Sequence, residues 1–173
     1  MPQSFLLTPG DAPEYVILRR EMLQEAPWAF LASPSQDRGC DVEKMKVSLG
    51  RTDAAIVGIR ANGAESGPLI AAAGVVREEA LKRRHIAMIW GVYVTPDARG
   101  RGCARAVVSH AMDLARGWQG IASIHLAVNA NAPEAKRLYE SLGFAQWGFE
   151  PDAVRIDGKS FGEYHMHFDV HAR

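Results

Sequence analysis

Gly91-Val-Tyr-Val-Thr-Pro-Asp-Ala-Arg-Gly-Arg-Gly-Cys-Ala-Arg105 is the stretch that decides the fold, because it joins the end of a buried strand to the start of a helix. The strand is predicted over Ile86 to Val94, and it is apolar on both of its alternating faces. One face would carry Ile86, Met88, Val92 and Val94, and the other Ala87, Ile89 and Tyr93. Such a pattern is typical of a central strand that is covered on both sides.

The connection that follows has the composition of an anion-binding turn. Arg99, Gly100, Arg101 and Gly102 precede a predicted helix whose apolar residues recur at helical spacing: Ala104, Val107, Val108, Ala111 and Ala115. The first N–H groups of a helix have no partner within the helix, and the helix dipole favours an anion there. Glycines allow close approach of the backbone, and arginines add charge-assisted hydrogen bonds. The pattern therefore predicts a diphosphate-binding turn.

Other interpretations of this turn fit less well. A solvated basic loop would have the same composition. A Rossmann turn needs G-x-G-x-x-G, whereas Arg105 stands where a small residue is required. A P-loop needs Gly-Lys-Ser/Thr, which does not follow here. An RNA-binding RGG segment would be repetitive, whereas this turn lies between two strongly periodic elements.

The turn also resembles a family motif. Arg99-x-x-Gly102-x-Ala104 is similar to the acyl-CoA signature, Q/R-x-x-G-x-G/A, of the GNAT superfamily of acyl-CoA-dependent N-acyltransferases. The resemblance implies that acetyl-CoA is the co-substrate. It also implies that the amides of Gly100 to Arg105 hold the pyrophosphate of acetyl-CoA, and that the backbone of Val92 to Val94 runs beside the pantetheine arm.

A second motif lies downstream, at Asn129-Ala-Asn-Ala-Pro-Glu-Ala-Lys-Arg-Leu-Tyr-Glu-Ser-Leu-Gly-Phe144. Its pattern predicts an amphipathic helix with Asn131 as N-cap. It closely resembles the other GNAT signature, which implies that Tyr139 lies near the CoA sulfur as a general acid. The family often has asparagine where Ala132 stands, and Asn129 and Asn131 flank that point. The cofactor-binding residues implied are Val92, Tyr93, Val94, Arg99, Gly100, Arg101, Gly102, Cys103, Ala104, Arg105 and Asn131.

Composition sets the broad class. A chain of 173 residues suggests a single domain over residues 1–173. Lys+Arg and Asp+Glu both total 20, so the net charge of zero favours neither nucleic acid nor an anionic membrane. The N-terminus does not resemble a signal peptide, and the two cysteines, Cys40 and Cys103, make no disulfide framework. A cytoplasmic location is the expectation.

The other elements follow from periodicity and turn residues. Strands are predicted over residues 5–8, 54–60, 69–77, 121–129 and 162–170, and a further strand begins at residue 145. Helices are predicted from Asp11 to before Pro27 and over residues 41–49. A tight hairpin is predicted at Asp157-Gly158. The GNAT resemblance implies an α/β fold, with a mixed, mainly antiparallel sheet and helices on both faces.

Acetyl transfer to an amine requires that the amine lose a proton and that the thioester oxyanion be stabilised. By resemblance the oxyanion donor is a backbone amide near Val92, and Gly91 is a suitable place for the bulge that frees it. Many GNAT enzymes carry a glutamate on the central strand, which has no carboxylate here. Glu163, His165, Glu21 or a water relay are the alternatives for the base.

The sequence indicates less about the acceptor amine than about the acetyl donor. Trp28 and Phe30, between Pro27 and Pro34, either cap the core or line an acceptor pocket. His165-x-His167 has no clear third ligand, so no metal is predicted. The expected function is N-acetylation of a primary amine, with a small molecule as partner, in a ternary complex. A protein N-terminus or lysine as acceptor, a non-catalytic acyl-CoA sensor, and a homodimer are the open alternatives.

Overall fold

A computed structural model describes residues 2–63 and 67–171. Seven strands form one sheet: β1 Phe5–Leu6, β2 Ala54–Arg60, β3 Leu69–Arg77, β4 Ile86–Val94, β5 Ser123–Asn129, β6 Ala145–Ile156 and β7 Lys159–Asp169. Four α-helices pack on it: α1 Ala12–Glu25, α2 Val42–Leu49, α3 Cys103–Gly117 and α4 Pro133–Ser141. Strands β2, β3 and β4 have the bounds that the sequence predicts. Strand β1 ends two residues earlier, β5 begins two residues later, β6 continues to the hairpin, and β7 begins at Lys159 instead of Gly162.

The order of strands places a break in the middle of the sheet. Among the described strands the order is β1-β2-β3-β4-β5-β7-β6, and only the β4–β5 pair is parallel. That pair joins Ile86–Met88 to Ser123–His125 and goes no further in either strand. The remaining residues of β4 and β5 therefore face each other without a hydrogen-bonded ladder.

The two faces of the sheet are covered differently. Helices α3 and α4 pack on one face against the apolar side chains of β2 to β5 and β7. Helices α1 and α2 cover the other face of β2, β3 and β4. On that second face the strands β5, β7 and β6 are approached by the short 3-10 turn Pro27–Ala29, which contacts both β5 and β6.

A bulge in β4 corrects the predicted assignment of its faces. Two residues, Gly91 and Val92, stand opposite Ala73 alone, and Gly91 has a φ of +59°. The extra residue inverts the alternation, so Val92 and Val94 share a face with Ile89 and not with Met88. The bulge itself was predicted at Gly91 and is confirmed.

Two helix starts also differ from the prediction. Helix α1 begins at Ala12, and the Asp11 carboxylate accepts a hydrogen bond from the Thr8 amide at 2.7 Å, so the capping box joins Thr8 to Asp11 instead of Asp11 to Glu14. Helix α4 begins at Pro133 with Ala132, not Asn131, at the N-cap. The predicted hairpin is confirmed: Asp157 and Gly158 have φ of +50° and +76°, as its turn type requires.

Candidate active site

The gap between β4 and β5 opens into a cavity of about 580 Å³. Its walls are the unpaired edges of the two strands, at Ile89–Val94 and 126–129, and it is bounded by residues of α3 and α4. An unpaired strand edge presents N–H and C=O groups at regular spacing, which an extended chain with amide groups can satisfy. The cavity thus offers a cradle for a long, narrow ligand.

One end of the cavity is the turn that leads into α3. Gly100 and Gly102 line it and have φ of +74° and +79°. A Cβ added at Gly100 would meet nothing within 4 Å, and no side chain caps the N-terminus of α3. The backbone amides here are therefore open to the cavity, which fits the pyrophosphate of acetyl-CoA.

The structure brings together most of the residues predicted to bind the cofactor. The residues that line the cavity are Val92, Tyr93, Val94, Arg99, Gly100, Gly102, Cys103, Ala104 and Arg105. Arg101 and Asn131 are exposed and lie outside the lining. Asn129 lines the cavity instead of Asn131. Its side chain donates to the Trp28 carbonyl at 2.7 Å and accepts from the Asn131 amide at 3.0 Å.

Arg99 is held across the mouth of the cavity. Its guanidinium donates to the Val94 carbonyl at 3.2 Å and pairs with the Glu25 carboxylate at 2.7 Å. Glu25 is the last residue of α1. The pair therefore joins the end of α1 to the turn that leads into α3.

Tyr139 lies in α4 with its ring buried against Phe144, at 6.0 Å between ring centroids. It also lines the cavity. Burial raises the pKa of Tyr139, so its hydroxyl keeps its proton across the physiological range. This hydroxyl can donate a hydrogen bond to a ligand atom that gains negative charge in the cavity.

The opposite wall of the cavity is aromatic. Two of its rings lie against a buried ion pair that the sequence did not reveal. Trp28, Phe30 and Trp90 line the cavity. The Arg19 guanidinium lies 5.7 Å from the Phe30 ring centroid and 5.5 Å from that of Trp90, and it pairs with Asp37. An arginine in an amphipathic helix usually indicates a solvated face. The sequence pattern of α1 therefore did not indicate that Arg19 is buried beside the cavity.

The three candidates for the base differ in their surroundings. Glu21 accepts a hydrogen bond from the Tyr93 hydroxyl at 3.1 Å, and burial together with Glu21 raises the pKa of Tyr93. His165 contacts the Glu150 carboxylate at 3.3 Å. Glu163 is 7% exposed, and burial raises its pKa.

The described part of the chain shows neither a metal site nor a helix that could span a membrane. Within residues 2–63 and 67–171, no group of three or more His, Cys, Asp or Glu side chains is placed to hold a metal ion. In the same part of the chain, every helix is too short or too polar to cross a membrane.

Comparison with known proteins agrees with this geometry. The sequence profile of the Acetyltransferase (GNAT) family matches residues 19–144. A mycothiol acetyltransferase from Renibacterium salmoninarum is 37% identical over 62 residues, which are 36% of this chain. The match covers only 18% of the length of that relative.

Solved structures show the same fold. A GNAT-family acetyltransferase from Streptococcus pneumoniae superposes with a TM-score of 0.80 at 17% identity, over 95% of this chain and 96% of that one. A putative acetyltransferase from Salmonella typhimurium, solved with its cofactor acetyl-CoA, gives 0.78 at 19% identity, over 99% and 95%. The family match, which spans the turn at residues 99–102 and Tyr139, confirms the predicted family and enzyme class. This chain belongs to the acetyltransferase (GNAT) family.

Proposed function

We propose that the protein transfers an acetyl group from acetyl-CoA to a primary amine of a small molecule, directly and within a ternary complex. One observation carries the proposal: a single cavity connects the anion-binding turn, the unpaired edges of β4 and β5, Tyr139 and an aromatic wall. A donor bound along the strand edges and an acceptor bound against the aromatic wall would meet in this cavity. Acetyl-CoA supplies the acetyl group as a thioester.

Each part of the cavity has a role in the proposed reaction. The amides of Gly100 to Arg105 bind and orient the diphosphate, with Arg99 and Arg105 adding positive charge. The bulge at Gly91 turns the backbone away from the β3 ladder, so a nearby amide can stabilise an oxyanion.

Tyr139 would donate a hydrogen bond to the sulfur as negative charge develops there. Its raised pKa favours hydrogen-bond donation over complete loss of the proton, because a thiol holds its proton less tightly than a buried phenol does.

Small-molecule acceptors are favoured because the acceptor side is narrow. The Pro27–Ala29 turn lies against β5 and β6, and the Asn129 side chain fastens it there through the Trp28 carbonyl. Trp28 and Phe30 therefore wall the cavity with rigid apolar surface. A compact amine with an apolar part fits this wall better than an extended peptide.

The test is a thiol-release assay with acetyl-CoA and a panel of diamines, amino acids, aminoglycosides and short peptides. Initial rates measured against both substrates should give intersecting lines, as a ternary complex requires. Calorimetry in the same samples measures acetyl-CoA binding. Parallel lines would contradict direct transfer. Binding of acetyl-CoA without turnover on any amine would favour the non-catalytic sensor.

A further inference from the structure

Glu25 places a carboxylate beside the turn that leads into α3. It is the last residue of α1, and both Glu25 and Arg99 line the cavity. A carboxylate oxygen of Glu25 lies 2.7 Å from Nη2 of the Arg99 guanidinium. The pair is only partly buried, because 34% of the Glu25 side chain and 51% of the Arg99 side chain are exposed. A ligand in the cavity can therefore reach both partners.

Arg99 lies back over the edge of β4 in this arrangement. Its Nε donates to the Val94 carbonyl at 3.2 Å. The next amide, of Thr95, donates to the Ile70 carbonyl on the β3 side, and the backbone groups of adjacent strand residues point in opposite directions. The Val94 carbonyl therefore points away from β3, toward the gap between β4 and β5. Arg99 thus occupies an acceptor on the edge that the gap presents to a ligand.

A diphosphate in the cavity would offer Arg99 a second anion. The turn with the open amides begins directly after Arg99, and its Gly100 and Gly102 line the cavity. Arginine forms strong charge-assisted hydrogen bonds to phosphate oxygens, whereas an exposed pair with a carboxylate contributes little. In the described part of the chain, Glu25 has no ion pair except the one with Arg99. The carboxylate and the diphosphate are therefore rivals for one cation.

We infer that Glu25 competes with the diphosphate of acetyl-CoA for Arg99, and that it thereby weakens the binding of CoA. This inference rests on the proposed acetyl transfer and assigns the residue that governs exchange of the cofactor. Glu25 acts through Arg99 and does not touch the reacting atoms. As CoA leaves, the carboxylate recovers the guanidinium, which favours release of this product. Product release limits the turnover of many enzymes.

The geometry favours competition over a role of Glu25 in orienting Arg99 for the diphosphate. Nε and Nη2 form one edge of the guanidinium, and both already have partners, the Val94 carbonyl and Glu25. A bidentate bond from this edge to a phosphate requires that Arg99 leave both partners. The two roles differ in sign, because loss of an orienting carboxylate would weaken CoA binding, whereas loss of a competing one strengthens it.

The test measures the affinity for CoA, without an amine, in wild type and in Glu25→Gln, which keeps the size of the side chain and removes its charge. Calorimetry should show that the Kd for CoA falls by about fivefold. Most of this change should appear as slower dissociation, because association rates vary little among variants of one site. Stopped-flow tryptophan fluorescence measures dissociation, since Trp28 and Trp90 line the cavity. Pantetheine, which lacks the diphosphate, should bind both proteins with Kd values within about twofold.

The same comparison in an Arg99→Met background separates competition from simple repulsion. There Glu25→Gln should change the Kd for CoA by about twofold or less, because the cation that both anions seek is gone. Glu134→Gln is the matched control, since Glu134 is another carboxylate that lines the cavity but does not pair with Arg99 in the described part of the chain. It should change the Kd by the same factor with and without Arg99.

Weaker or unchanged CoA binding by Glu25→Gln would overturn the inference, and weaker binding would show that Glu25 orients Arg99. Equal tightening in both backgrounds would also overturn it, because the carboxylate would then act by repulsion alone. Absence of acetyl-CoA binding by wild type would overturn the proposed function as well. Tighter binding by Glu25→Gln, lost in the Arg99→Met background, without turnover on any amine would contradict acetyl transfer and still support the competition.

Discussion

Arg19 and Asp37 form an ion pair in which the two side chains are only 7% and 8% exposed. The Arg19 Nε lies 3.1 Å from a carboxylate oxygen of Asp37. Arg19 belongs to α1, and Asp37 follows the Pro27–Ala29 turn in the chain. The pair therefore fastens the segment that carries Trp28 and Phe30 to the helix beneath the bulge of β4.

Asp37→Asn should be strongly destabilising, because it leaves the Arg19 guanidinium buried without a counter-ion. We expect the free energy of unfolding to fall by about 3 kcal/mol. Urea denaturation followed by circular dichroism measures the change. Glu43→Gln removes a partner of an exposed pair with Lys46 and should cost less than about 1 kcal/mol. Equal effects of the two changes would contradict a structural role of the buried pair.

Gly91→Ala tests the bulge. The residue has a φ of +59°, and an added Cβ would lie 3.2 Å from an Arg19 guanidinium nitrogen. The backbone strain and the crowding together should cost about 2–3 kcal/mol of unfolding free energy. Gly100→Ala is the control, because φ is +74° but the space is open, so the cost should be about 1 kcal/mol. Equal losses would mean that the contact with Arg19 is unimportant.

Tyr139→Phe separates chemistry from binding. The change removes the hydroxyl and keeps the ring that packs on Phe144. We expect kcat to fall by about 100-fold, with the Kd for acetyl-CoA within about threefold of wild type. Tyr164→Phe, on the same face of the sheet but outside the cavity lining, is the matched control and should retain activity. Normal turnover by Tyr139→Phe would exclude the hydrogen bond to sulfur.

Arg99→Met and Arg101→Met compare two arginines of one turn. Arg99 lines the cavity, whereas Arg101 is exposed outside it. Arg99→Met should weaken acetyl-CoA binding by about tenfold, because a charge-assisted hydrogen bond is lost. Arg101→Met should change the Kd by about twofold or less at 0.15 M salt. Calorimetry measures both variants, and a larger effect at Arg101 would reverse this assignment.

The raised pKa of Glu163 should be visible in the pH dependence of the free energy of unfolding. Its pKa is raised in the folded state, so the folded protein binds more protons than the unfolded chain between the two pKa values. The contribution of this group to stability is therefore present at low pH and is lost as pH rises through the folded pKa. Glu163→Gln should remove this component and leave the protein at least as stable as wild type at pH 7. Denaturation curves from pH 4 to 8 would show it, and a large destabilisation at pH 7 would indicate a structural role instead.

The elements of the fold were predictable where periodicity was strong. Strands β2, β3 and β4 have the predicted bounds, because apolar runs between turn residues define a buried strand well. The faces of β4 beyond Gly91 were not predictable from alternation alone. A bulge adds one residue to one strand, and only the pairing with β3 shows where the register shifts.

The cavity brings together most of the residues predicted on the cofactor side of the candidate site, whereas the sequence marks its acceptor side less clearly. The anion-binding turn and Tyr139 belong to local motifs, so spacing along the chain was sufficient. Contacts between segments that are far apart in the chain bring three residues to the site: Arg19, Asp37 and Asn129. No local sequence pattern indicates such contacts. The sequence pattern favours Asn131 as the helix cap, whereas the chain enters α4 through Ala132 and Pro133.

The short parallel pairing of β4 with β5 leaves the two halves of the sheet weakly joined at its centre. Each half of the sheet is nearly continuous in the chain, and three residue pairs join the halves there. A ligand lying between β4 and β5 would bond to both edges and act as an added strand. Acetyl-CoA should then slow amide hydrogen exchange on both sides of the gap at once, so the sheet becomes mechanically continuous only while the enzyme is loaded.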